Sequence, residues 1–216
     1  TPQPTGCASI IVDAHQGNQL AVALGANALA TAAQIDDALL DQASWLLLQM
    51  ESAPSEVAAL LERAQGRRVR TILNLAPAVH LAPQVLRSCD LLVVNESEAA
   101  AVAGWLGCGD DARQLQSALG NAVLRTLGAR GAELATSDGL WSVPAIAVDA
   151  VDTTAAGDCF VGVLAAALDR GMSLPDAMQR ATQGAALACT RQGSQTSLPW
   201  RSDIDALQAQ MVAHTR

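Results

Sequence analysis

Short apolar runs recur along this chain with room for one helix between each pair, and that alternation is the strongest constraint on its fold. Trp45-Leu46-Leu47-Leu48, Val69 to Leu75, Leu91-Leu92-Val93-Val94 and Ala122 to Thr126 are too short for helices and typical of strands covered on both faces. Helices fit around them. Thr31 to Leu40 precedes the first run, and Pro54 to Gln65 follows it, with Pro at its opening and Gly66 at its close. Beyond Thr126 the pattern switches: Ala132 to Thr136 and Leu140 to Val143 flank Ser137-Asp138-Gly139, whose Asp-Gly suits a tight hairpin turn and predicts an antiparallel edge. Three helices should follow: Gly157 to Asp169, Leu174 to about Thr190 with Ser173 as cap and Pro175 in the first turn, and Ser202 to His214. At the start, Cys7 to Val12 and Leu20 to Leu24 read as a hairpin around the polar turn Asp13 to Asn18. The pattern predicts an α/β fold, a mostly parallel sheet with helices on both faces. Functional residues belong beyond the carboxyl ends of its strands.

Composition narrows the function classes. Half of the 216 residues are hydrophobic, mostly Ala, Leu and Val, which excludes disorder and supplies a sizeable core. The net charge is −8, and with no Lys the only fixed cations are thirteen Arg scattered along the sequence, so no nucleic-acid partner is expected. No window approaches the roughly 18 uninterrupted apolar residues of a membrane span, and no signal-peptide pattern opens the chain. Five Cys, an odd number without C-x-x-C spacing, suit a reducing compartment. The expectation is a cytoplasmic protein without a membrane partner. The first residue is Thr1 rather than Met, as in a fragment or processed product.

The most informative stretch is Asp152-Thr153-Thr154-Ala155-Ala156-Gly157-Asp158-Cys159-Phe160. Small residues before a helix leave backbone N–H groups uncovered at the positive end of its dipole, a pocket for phosphate oxygens. A carboxylate at that mouth repels a phosphate, but it suits a base that deprotonates a hydroxyl attacking phosphorus. Spacing alone allows equally that Asp152 or Asp158 is a helix cap. Asn95-Glu96-Ser97-Glu98 follows a strand and opens a helix, where Asn95 and Glu98 could be only a capping box. Thr126-Leu127-Gly128-Ala129-Arg130-Gly131 at a strand end could be an ordinary hairpin corner. Without Lys, a Walker-type phosphate lysine is impossible.

Taken in order, the 152–160 stretch and the tail Thr190-Arg191-Gln192-Gly193-Ser194-Gln195-Thr196-Ser197-Leu198-Pro199-Trp200-Arg201 resemble the ribokinase family of carbohydrate kinases, from about Gly6 to the end. The resemblance implies a ribokinase-like fold, with residues 1–30 as partial β-lid and hinge and residues 31–216 as a nucleotide-binding α/β domain. It implies an enzyme that transfers the γ-phosphoryl of MgATP to the primary hydroxyl of a sugar, with ribose the expected acceptor. Asp158 matches the general base and a substrate contact, while Ala155, Ala156 and Gly157 match the anion hole, Ala155 standing where many members carry Gly. Asn95 and Glu98 match the N-x-x-E motif that arranges magnesium and the triphosphate through water, and Thr126 to Gly131 matches the nucleotide-contacting turn. Charge neutralisation then falls to magnesium, Arg130 and backbone dipoles. Thr182 stands where a base-contacting His or Asn is common. Asp152, Thr154, Cys189, Arg191, Gly193 and Ser197 match loops that hold potassium, a tightly turned loop needing Gly193 being the plainer alternative. Glu51 matches a sugar-contacting carboxylate, and Asn27 a sugar or lid contact. The family's Gly-Gly sugar cradle and an Asp near its first strand are missing, so the chain reads as a piece lacking an amino-terminal region. A homodimer through the lid is expected when that lid is complete. Two alternatives remain: another sugar or nucleoside as acceptor, and a nucleotide-binding or assembly module without kinase activity.

Overall fold

The computed structural model describes residues 2–12 and 18–214; residues 13–17, with His15 and most of the expected first turn, lie outside the described residues. Strands β1 (Cys7–Val12) and β2 (Asn18–Ala23) pair antiparallel as a separate two-stranded sheet. The chain then enters a six-stranded sheet in sequence order: β3 (Trp45–Leu48), β4 (Arg70–Asn74), β5 (Leu91–Val94), β6 (Ala122–Thr126), β7 (Ala132–Ala135) and β8 (Leu140–Val143). The first four run parallel, and β7 and β8 add an antiparallel edge.

Side chains alternate across the strands and divide the core in two. Leu73, Leu92, Val94 and Val123 face α2 (Pro54–Ala64), α3 (Pro83–Leu86), α4 (Glu96–Leu106) and α5 (Ala112–Leu119), which contribute Leu61, Leu86, Val102 and Leu115. Ile72, Leu91, Val93 and Leu124 share the other layer with Phe160, Val161 and Leu164 of α6 (Ala156–Asp169) and Met178 and Ala181 of α7 (Leu174–Cys189). All four residues of β5 are buried, which is why its run lacks polar alternation. The last helix, α8 (Arg201–His214), packs on α7 and buries Ile204.

One expected helix is broken. Thr31 to Leu40 forms a short 3₁₀ turn, Ala32–Gln34, and then α1 (Asp37–Gln42). The Gln34 side chain accepts the Thr31 N–H at 2.9 Å, Ile35 and Asp36 are extended, and Arg63 of α2 donates to the Ala32 and Ile35 carbonyls. An arginine from the next helix thus satisfies carbonyls that a continuous helix would have paired internally.

Candidate active site

The expected site residues fall into two tied groups above the sheet. The first follows β5 and β6. Asn95 caps α4: its Oδ1 accepts the Glu98 N–H at 2.9 Å, and Glu98 Oε2 accepts the Asn95 N–H at 2.7 Å. Glu98 is buried, and that burial pushes its carboxyl up, partly offset by the Asn95 N–H. Beside it, Thr126 Oγ1 donates to the Val94 carbonyl at 3.5 Å, joining the two strand ends. The chain then turns through Gly128–Arg130, with the Leu127 N–H bonded to Gly131 O at 2.8 Å. Gly131 has φ +104°, and a Cβ there would lie 1.9 Å from the Val143 carbonyl, so only glycine fits. Gly128, Ala129 and Arg130 are exposed. Arg130 is ion-paired with Glu96. Its charge, expected to serve a nucleotide alone, therefore has a carboxylate partner 34 residues away in sequence, for which spacing gives no signal.

The second group surrounds the start of α6. The N–H groups of Val151 and Asp152 donate to the Cys189 carbonyl at 2.8 and 3.2 Å. Asp152 accepts the Thr154 N–H on Oδ1 at 2.9 Å and the Gly193 N–H on Oδ2 at 3.0 Å, clasping the 152–154 turn to the loop after α7. The Thr154 hydroxyl, with the two N–H groups, holds this carboxyl below the usual range. Ser197 is fully buried and donates to the Ser194 carbonyl at 2.7 Å; Arg191 pairs with Asp203 at 3.0 Å. The oxygen-rich donor set of these loops suits a hard monovalent cation: each Asp152 oxygen accepts one N–H and keeps a second lone pair.

Ala155 begins α6 at φ +60°, the one positive φ of a non-glycine among the described residues. A left-handed φ disfavours Ala and suits the Gly that many family members carry here, and the chain meets it with a strained residue. No side chain caps α6, unlike α4, α5 and α7. Ala156 N bonds back to Thr153 O at 3.2 Å, which leaves Gly157 and Asp158 as the exposed first turn. Asp158 points away from the interior, and the neighbouring Cys159 is buried, its thiol pushed up to about 11 by burial, with Cys189 and Asp158 adding to the rise. A thiol so raised is no nucleophile.

Three expected residues stand apart. Thr182 is buried in α7 and donates its hydroxyl to the Met178 carbonyl at 3.0 Å, which leaves no free donor for a base. Glu51 is exposed past β3, its N–H bonded to Gln49. Asn27 is exposed in a 3₁₀ turn, bonded by backbone to Leu24 and Ala30.

The sequence matches the pfkB family carbohydrate kinase over residues 1–201. It is 35% identical over 217 residues to a bifunctional ribokinase/ribose-5-phosphate isomerase A of Fructilactobacillus sanfranciscensis, covering 94% of this chain and 39% of that protein. The fold superposes on a ribokinase of Thermotoga maritima with a TM-score of 0.86 at 32% identity, covering 97% of this chain and 71% of that one. An Arabidopsis thaliana ribokinase complexed with ribose and ATP gives a TM-score of 0.81 at 25% identity, with 95% and 70% covered. No described helix is long and apolar enough to cross a membrane.

Proposed function

Because the chain belongs to the pfkB family of carbohydrate kinases, we propose that it is the nucleotide-binding part of a ribokinase, transferring the γ-phosphoryl group of ATP to the primary hydroxyl of ribose. The observation that carries this reading is the start of α6: an exposed Asp158 in the first turn of a helix that no side chain caps. Asp158 takes the proton of the attacking hydroxyl, and the N–H groups of Ala155 and Gly157 stabilise charge on the transferring group, while the Ala156 N–H, bonded to the Thr153 carbonyl, shapes the turn between them. Support for ATP and ribose as ligands comes from the Arabidopsis relative, whose complex holds both. The Thr126 to Gly131 turn receives the nucleotide, and Glu51 and Asn27 face the sugar side.

Asn95 and Glu98 would hold magnesium through water, the capping bond of Glu98 using only one of its two carboxylate oxygens; Asp152, Thr154, Cys189, Arg191, Gly193 and Ser197 would hold potassium. When bound, magnesium would neutralise phosphate charge and potassium would stiffen the loop behind the anion hole. Asp158→Ala in the complete enzyme should lower turnover by about a hundredfold or more while ATP still binds. Near-normal turnover would remove Asp158 from its role.

A second reading, a nucleotide-binding module that does not turn over by itself, is favoured by the sugar side, where Glu51 and Asn27 make only local bonds. ATP binding without ribose-dependent ADP release supports the module, and turnover by this chain refutes it.

A further inference from the structure

Three arginines that are far apart in sequence converge at one cleft between α6, α7 and α8. The cleft has a volume of about 180 Å³, and its lining includes Arg170, Arg180 and Arg201 with the apolar Val163, Ala167 and Ile204. Arg180 is the floor: its side chain is 10% exposed, Nη2 donates to Asp205 Oδ1 at 2.5 Å and Nη1 to Gln208 Oε1 at 3.3 Å. Arg201 Nε reaches the other oxygen of Asp205 at 3.5 Å. The side chain of Arg170, the residue just past the end of α6, makes no hydrogen bond or ion pair among the described residues.

The charges do not balance. Asp205 is the carboxylate of this cluster, and its acidity is raised first by Arg180 and then also by Arg201 and Arg170, so all three cations act on one anion. The other carboxylate nearby on α8, Asp203, is occupied by Arg191 at 3.0 Å. Three guanidinium groups against one carboxylate leave two positive charges in excess, on a chain whose net charge is −8. A structural ion pair for the buried Arg180 needs only Asp205. The additional two cations stand exposed at the rim around the buried Arg180, where an anion entering the cleft would be shared by all three.

We propose that this cleft binds a small phosphate-type oxyanion. Guanidinium forks match tetrahedral oxyanions in geometry and charge. The cleft, with a volume of about 180 Å³, has room for a phosphate group. Arg170 lies twelve residues beyond Asp158 on the same helix, about 18 Å along its axis, so the cleft is separate from the first turn of α6. A bound anion would tie together three helices whose mutual packing positions that turn. The proposal does not rest on the kinase reading.

The test is a titration of this chain with inorganic phosphate against potassium chloride at matched ionic strength, followed by calorimetry, thermal unfolding and the fluorescence of Trp200. That indole is 78% exposed between two lining residues, Pro199 and Arg201. Phosphate should bind, raise the unfolding temperature, and remain bound at saturating MgATP. In the double variant Arg170→Gln, Arg201→Gln, phosphate affinity should fall at least about tenfold with MgATP binding unchanged. Both substituted side chains lie at the surface, so the variant keeps its fold, and Arg180→Gln offers an independent check on the floor of the cleft. Methyl phosphate distinguishes the source: tighter binding than inorganic phosphate assigns the cleft to phosphomonoesters, weaker binding to free phosphate, and either supports it. Phosphate effects equal to those of chloride, displacement by MgATP, or an unchanged affinity in the double variant would each overturn the proposal.

Discussion

Ala155 carries the left-handed conformation on which the turn into α6, the proposed anion hole, depends. At φ +60° and ψ +11° its Cβ crowds the backbone, at roughly 1–2 kcal/mol for an L-residue in the left-handed region. The strain persists because Asp152 fixes the turn before it and α6 is buried after it. Ala155→Gly removes that strain but adds freedom to the unfolded chain, about 0.4–1 kcal/mol, so the net stabilisation should be small, up to about 1 kcal/mol. Ala155→Val should destabilise instead, because branching at Cβ makes this region a true outlier. Urea midpoints of the three proteins check this, and a lower midpoint for the glycine variant would show that Ala155 is not strained. The exposed place of Asp158 in the first turn of a helix was legible from a short run of small residues before it. The Arg130 to Glu96 pair was not, because it joins two turns through the order of strands β5 and β6.

Between elements, the Asp152 clasp joins the turn before α6 to the loop after α7. Its folded acidity is greater than the ordinary value of 3.8. A carboxylate of this kind stabilises the fold above that ordinary value, and the contribution is lost as pH falls through the lower folded value. Glu98 works in the opposite sense: burial raises it above 4.5, so what it contributes is present at low pH and fades as pH rises through the raised value. Asp152→Asn should therefore flatten the acid side of the stability profile while leaving its shape near neutrality alone. Parallel profiles for the two proteins, from urea midpoints across the acid range, would discard the clasp. Element boundaries were readable where a local signal exists, as with Pro54, the Asn95 box and the Ser173 cap, whose oxygen accepts the Asp176 N–H at 3.3 Å. The break before α1 was not, since its carbonyls are satisfied by Arg63 from another helix.

Across the whole molecule, β3 forms one edge of the sheet, with Leu47 at 41% exposure and the Trp45 indole stacked under Arg70. The β1 and β2 hairpin is a separate pair whose described side chains lie mostly at the surface, and two strands alone are only marginally stable in water. Both features predict self-association of this chain: its sedimentation coefficient should rise with concentration, and Leu47→Lys should reduce that rise by charging the edge. A monomer at every concentration would refute this. The alternation of apolar runs and helical segments settled the α/β class, because hydrophobic period and length are local properties that each segment carries with it. The small-residue run fixed in the same way where an anion hole could form. What tertiary structure alone decided is which distant charges meet. Arginines that look dispersed along the sequence come to a shared cleft because α6 and α7 pack face to face and α8 closes over them. Electrostatic interaction depends on separation in space, and helix packing, not sequence spacing, sets that separation.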